Sequence, residues 1–187
     1  MPRKFPWLAI FLSFFLCGAA RADDELIANP DYLAWSKFGT GTSVTYDGET
    51  NMMGNAYSST ATTTLTAIAA DKITLRVETT LLINGKPTTL PPQTSDIPVR
   101  VKKPASSAGV QPADAPKTQT SSEDVSALGR KFACKKTKVT TIADGLTNWT
   151  STWTSDEVPG GLVKSDSETT GAETATIKAI LTAMVVK

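Results

Sequence analysis

The stretch from residue 148 to 164, Asn-Trp-Thr-Ser-Thr-Trp-Thr-Ser-Asp-Glu-Val-Pro-Gly-Gly-Leu-Val-Lys, constrains this chain more than any other. Trp149, Ser151 and Trp153 fall on one side of a period-two alternation, with Thr150, Thr152 and Thr154 on the other. That is how a β-strand buries one face and wets the other. Val158-Pro159-Gly160-Gly161 then reverses the chain, because Pro presets φ at the second turn position and Gly supplies a positive φ at the third. Leu162, Val163 and Lys164 resume an extended run. Two of the four tryptophans thus sit on a strand beside a tight turn, and more strands are needed to pack against them.

Residues 1–22 read as an export signal and not as part of the fold. Arg3 and Lys4 make a basic start, residues 8–16 an apolar run, and Ala20-Arg21-Ala22 a cleavage site of the A-x-A type. The apolar run is too short to cross a bilayer, which takes about 20 residues. The expectation is a secreted or periplasmic protein cleaved near Ala22, with residues 23–187 forming a single β-rich domain. A lipoprotein signal at Cys17 is the weaker alternative, since Phe15 and Leu16 precede it where small residues belong. The leader holds three of the 19 basic residues and none of the 18 acids, so the remainder carries −2. No global pull toward nucleic acid or an anionic membrane follows. Cys134 alone remains after cleavage, so no internal disulfide forms; it is read as a buried small hydrophobe, with a free thiol as the other option.

Along the chain, Asn29-Pro30-Asp31 reads as a helix start, with Tyr32, Leu33, Trp35 and Phe38 on one side and Gly39 and Gly41 as the stop. A helix this short needs a docking partner. Asp47-Gly48 is predicted as a turn and residues 51–55 as loop. Ile73, Leu75 and Val77 alternate as a half-buried strand, and Asn84-Gly85 is the strongest hairpin signal. Residues 103–124 are rich in Pro, Ser, Ala, Thr and Gln and are predicted to be a mobile surface loop, long enough to leave a two-subdomain reading open. Phe132 and Cys134 share a strand face from which Val139 departs, which implies a bulge or a two-sided strand. Ile177, Ala179, Leu181, Ala183 and Val185 share one face of a last run, where the β-branched residues favour strand over the alternative of a helix. The sum is a mainly β fold: a curved antiparallel sheet or incomplete barrel, with one short N-terminal helix on its concave face.

The chain contains no His, no P-loop, no G-x-G-x-x-G and no G-x-S-x-G. Ser-His-Asp and Cys-His chemistry and the usual zinc sets are excluded, no cofactor or metal is implied, and a non-enzyme is expected. Asp156-Glu157 is the available carboxylate pair, but adjacent strand residues point to opposite faces, and solvated turn residues are the plainer reading. Arg130, Lys131, Lys135, Lys136 and Lys138 read as a lysine-rich sheet edge that discourages strand-to-strand aggregation, with binding of an anionic surface as the alternative.

Residues 29–38, Asn-Pro-Asp-Tyr-Leu-Ala-Trp-Ser-Lys-Phe, followed by Gly41-Thr-Ser-Val44, resemble the opening of a group of uncharacterised bacterial secreted proteins. The pairing of residues 129–135 with Trp153-Thr-Ser155 and the Val158-Pro-Gly-Gly-Leu-Val-Lys164 run resembles their second half. That group is similar to the LolA/LppX-like lipoprotein carriers, half-barrels that cup an apolar ligand over a helix. The resemblance implies binding of a lipid or lipidated partner between Trp35 and Phe38 on the helix and Trp149 and Trp153 on the sheet. The alternative is a cell-envelope interaction module with a packed core and no ligand cavity, meeting another protein or a polysaccharide. Nucleic acid is not an expected partner, the chain is not expected to span a membrane, and the oligomeric state is left open.

Overall fold

The computed structural model describes residues 25–52, 54–83, 85–103, 116–143, 145–171 and 174–187. Strand β1 (Leu26–Ala28) leads into helix α1 (Pro30–Ser36). There follow β2 (Ser43–Met52), β3 (Asn55–Ile68), β4 (Lys72–Ile83), β5 (Lys86–Thr89), β6 (Gln93–Pro98) and β7 (Arg100–Lys102). The second half supplies β8 (Lys117–Ala127), β9 (Arg130–Ala143), β10 (Leu146–Thr154), β11 (Leu162–Thr170) and β12 (Ala175–Val185). The predicted export signal lies outside the described residues, as does the segment 104–115.

The fold is mainly β, an open antiparallel sheet with, among the described residues, a single short helix, as the alternation predicts. The ten-stranded sheet runs β5-β4-β3-β2-β12-β11-β10-β9-β8, with β6 also paired to β4. Every neighbour along that order is a sequential hairpin except the central pair, β2 with β12, which joins two meanders, while β6 returns to β4 past β5. β1 and β7 form a separate two-stranded ribbon. Cα atoms of β8 come within 8 Å of β11 and β12, although β9 and β10 lie between. Neighbouring strands stand about 4.8 Å apart, so a flat sheet would hold β8 and β11 roughly 14 Å apart. The sheet therefore curls.

The two halves bury opposite faces. In β8 to β10, Val125, Phe132, Cys134 and Trp153 are buried and share the face set by the pairs Val125↔Phe132 and Trp153↔Lys136. In β2 to β4, β11 and β12 the buried side chains are Val44, Leu65, Ile73, Leu75, Val163 and Leu181, which the pairs Leu181↔Tyr46 and Leu65↔Leu75 place on the other face. Helix α1 lies against β4 and β6 and adds Trp35, 5% exposed, to that second group.

α1 spans seven residues, with the Asn29 side chain accepting from the Asp31 N–H at 3.0 Å and Pro30 in the first turn. A helix of that length needs tertiary contacts to hold it. The turn 155–161 provides them. Ser155 N–H donates to Gly161 O at 2.7 Å, closing the turn, and Gly160 N–H donates to Ala34 O at 3.2 Å. Gly160 has φ +76, and a Cβ there would stand 2.7 Å from Trp35 Nε1.

Several local expectations are corrected. Asp47-Gly48 is no turn: β2 runs through it, and Gly48 leaves room for Ser59, whose Oγ would be 2.5 Å from a Cβ. Within 103–124, residues 117–124 are not loop but most of β8. That strand buries only Val125 and Ala127 and is held by pairing to β9, so it carries no apolar alternation to read. β9 pairs in unbroken register on both sides, so Val139 marks a two-sided strand. In β12 the register shifts between Leu181 and Ala183, turning Ala183 and Val185 away from the face of Leu181 and bringing Met184 in. The extra residue, Thr182, donates from its hydroxyl to Thr45 O at 3.4 Å; Thr66, the extra residue in β3, does the same to Thr74 O at 3.0 Å. Such hydroxyls partner the carbonyls that a bulge leaves short of a donor.

Gly160→Ala is expected to lower stability by on the order of 2 to 4 kcal/mol, combining left-handed backbone strain with overpacking against Trp35. Gly161, φ +78 with nothing within 4 Å of its Cβ position, pays the backbone part alone, about 1 to 2 kcal/mol as Ala. Urea unfolding of both variants checks this; equal losses would remove the Trp35 contact from the account.

Candidate binding face

The Trp153 face is built by cross-strand rows. Ser121, Lys136, Trp153, Lys164, Ile180 and Asp47 stand opposite one another in sequence across β8, β9, β10, β11, β12 and β2. The next row toward the far hairpins is Gln119, Lys138, Ser151, Asp166, Lys178 and Glu49. Trp149, with Thr140 and Glu168 beside it, belongs to the row after that. Period two puts all of them on one side of the sheet.

Trp153 is 4% exposed, with Lys136 Nζ 4.6 Å and Lys164 Nζ 4.5 Å from the ring centroid. Trp149 is half-buried, with Lys138 Nζ at 5.0 Å. The lysine stems shield the indoles while the ammoniums meet the negative ring faces. Lys136 also bonds Glu123 at 3.1 Å, and Lys164 bonds Asp166 at 2.8 Å. The Trp153 indole N–H and then the Lys136 ammonium hold the Glu123 carboxyl below its usual range. The indole contact falls short of strict hydrogen-bond geometry, which leaves Trp153 Nε1 without a full partner; Asp166 Oδ1 is likewise buried and unpartnered. Buried polar atoms of this kind are uncommon and call for a reason.

Two shallow cavities flank these groups. One, of about 320 Å³, is lined by Gln119, Thr120, Ser121, Lys136 and Lys138. The other, of about 270 Å³, is lined by Asp47, Glu49, Lys164, Asp166, Lys178, Ala179 and Ile180. Lysines and carboxylates alternate in the second row, and Asp47 ends the row that holds Lys136 and Lys164, so the face carries no field of a single sign.

The four aromatic residues that the sequence singles out fall into two places. Trp35 packs against Gly160, and Phe38 is half-buried with Lys37 Nζ 5.5 Å from its ring centroid. Trp153 reaches the core from the other side of the sheet, Trp149 stays half-buried on that same side, and α1 lies at the β4–β6 edge, five strands from β10. The lysines and acids that frame the indoles escaped sequence reasoning. Their signal was the matching parity of Lys136, Lys138, Trp149 and Trp153, which becomes a shared face only once the β9–β10 register is known.

The remaining chemistry is quiet. Asp156 and Glu157 are exposed, the first beside Lys37 at 3.9 Å and the second bonded to Arg130 at 3.0 Å. Cys134 is 4% exposed, its thiol donating to Phe132 O at 3.4 Å, and burial pushes its pKa up. A thiol that resists ionisation is a poor nucleophile. Among the described residues no cluster of His, Cys, Asp or Glu fits a metal ion, and no helix is long and apolar enough to cross a membrane.

No family model matches the chain, and no curated protein matches it. Among solved structures it is similar to a candidate lipoprotein from Parabacteroides distasonis, at a TM-score of 0.41 and 10% identity over 79% of this chain and 97% of that one. It is also similar to a candidate exported protein with a YmcC-like fold from Bacteroides fragilis, at a TM-score of 0.46 and 11% identity over the same shares. Likeness of this degree carries no argument about what the chain does.

The folded chain binds the Glu123 proton more weakly than the unfolded chain does. The stability drawn from that contact is complete above the ordinary glutamate range and is lost as pH falls through the lower folded value. Glu123→Gln should therefore flatten the acid side of the stability–pH curve and leave the neutral side its shape, as read by urea titrations. An unchanged acid slope would place the carboxylate outside the Trp153–Lys136 contact. Cys134 should resist a maleimide in buffer and react fully in urea; rapid labelling of the native chain would contradict its burial.

Proposed function

We propose that this chain is an exported, non-enzymatic interaction module of the cell envelope whose Trp153 face takes a hydroxyl-rich polymer, an envelope polysaccharide. One observation carries the reading. The half-buried ring of Trp149, under the Lys138 ammonium, adjoins a shallow cavity lined by the amide, hydroxyls and ammoniums of Gln119, Thr120, Ser121, Lys136 and Lys138. A hydroxyl both donates and accepts, so it can pair with those groups, and the Trp149 ring offers its face to sugar C–H groups. An apolar ligand would leave the polar groups it covered unpaired in a drier setting, at a cost of about 1 to 3 kcal/mol each. Export is supported by the leader of residues 1–22, and the absence of His supports a role without acid–base catalysis.

A second reading keeps the lipid or lipidated partner that the carrier resemblance implies, at Trp35, Phe38, Trp149 and Trp153. It is favoured by Leu33, 56% exposed on α1 and offering an apolar contact there.

Affinity electrophoresis against purified envelope polysaccharide, alongside native mass spectrometry after mild extraction, separates the two. Retardation by the polysaccharide that weakens about tenfold in Trp149→Ala, with no co-purifying lipid, is the expected result. Stoichiometric lipid, displaced by an apolar dye, with no retardation, would replace this reading by the second.

A further inference from the structure

We propose that β8 is the seam of a symmetric homodimer, pairing antiparallel with β8 of a second copy about a two-fold axis at Thr120. The inference is independent of what the Trp153 face binds.

The sheet has two ends of different character. At one, β4 is covered by both β5 and β6. At the other, among the described residues, β8 pairs with β9 alone, and all eight residues from Lys117 to Asp124 are exposed. Exposed strand edges attract further strands, and proteins blunt them with proline, bulges or inward charges. β8 has none of the first two: residues 117–124 contain no proline, and the pairing with β9 runs in unbroken register.

Symmetry then restricts the register. A two-fold axis perpendicular to a continuous antiparallel sheet brings like faces together, so opposed residues must share parity. With Thr120 on the axis, Lys117 meets Glu123 of the second copy, Thr118 meets Ser122 and Gln119 meets Ser121. Opposite charges and hydroxyl pairs are the favourable cross-strand neighbours. Among the described residues Lys117 has no ion-pair partner, while Glu123 holds Lys136 and, as a carboxylate, has lone pairs left for a second ammonium. A register with Ser121 on the axis sets Lys117 against Val125, and one with Gln119 on the axis sets it against Ser121. Only the Thr120 register pairs the strand's one cation with an acid. It also ends before Val125 and Ala127, which each protomer buries for itself.

Sedimentation velocity of the purified chain, with a short bismaleimide crosslink at Thr120→Cys, tests the seam. A concentration-dependent dimer is expected, with Thr120→Cys linking across the axis and Thr88→Cys, exposed on β5, not linking. The buried Cys134 gives no background. Lys117→Glu should weaken the dimer about tenfold, and Lys117→Glu with Glu123→Lys should restore it. A monomer at every concentration overturns the proposal. So does a dimer that Lys117→Glu leaves intact and Thr120→Cys does not link, because that dimer would use another surface. Circular dichroism of each charge variant establishes folding, and the cysteine variant tests the same seam without altering charge.

Discussion

The pairing of β2 with β12 is the contact on which the architecture depends. Every other join in the large sheet is made with the next strand or, for β4 and β6, the next but one, whereas β2 and β12 stand at opposite ends of the sequence. The pairing runs from Ala175↔Met52 to Val185↔Ser43, and it brings Leu181 opposite Tyr46 and Met184 opposite Val44. Beyond it the chain end is tied down: the Lys187 N–H donates to the Thr42 hydroxyl at 3.0 Å, and the Gly39 N–H donates to Lys187 O at 3.0 Å. Thr42 is fully buried there. Two meanders that separately would each have a bare central edge become one sheet through this seam. Closing so distant a pair costs chain entropy that only well-packed contacts can offset.

The seam also explains why the sheet buries different faces in its two halves. Helix α1 and the turn 155–161 cover the Leu181 face, so β2 to β4 and the start of β11 pack there. Past β11 the curl brings β8 back toward β11 and β12 on the Trp153 side, and β8 to β10 pack on that side. The register shift between Trp153 and Thr154 lies at the changeover. A strand that belongs to both halves cannot be cleanly amphipathic, and β11 is half-buried along nearly its whole length.

This bears on what was legible in the sequence. Strands with one buried face were readable: Ile73 and Leu75 alternate with Thr74 and Arg76 as a half-buried strand should, and β4 is that strand. The capped start of α1 was readable too, because Asn29 and Pro30 act through local geometry. Illegible were the features fixed by a partner strand. Gly48 looks like a turn residue until Ser59 is seen opposite it, and Thr182 looks like any strand threonine until its hydroxyl is seen on Thr45 O. β8 was invisible because its stability comes from β9 and from Lys136 on Glu123, not from its own composition. The two indoles on one face could be read from spacing; the lysines over them could not, since those arrive from β9 and β11.

The abundance of threonine and serine has a physical source in the same two-sidedness. A strand whose faces are both half-buried needs side chains that tolerate either setting, and a β-branched hydroxyl does so by pairing across the ladder. Thr45 bonds Thr62 at 2.9 Å, Thr80 meets Thr89 at 3.2 Å and Thr150 meets Ser167 at 3.0 Å, each pair joining neighbouring strands. These pairs stiffen the sheet without apolar bulk. They leave wide surface free for the charged rows around Trp153, where lysine stems do the shielding that a leucine would do in a closed core. A face held in that way buries the Trp153 ring without apolar bulk and leaves the Lys136 and Lys164 side chains partly exposed. The polar strands that hid β8 from sequence reading and the polar Trp153 face are two results of one arrangement, a sheet that packs on alternate sides.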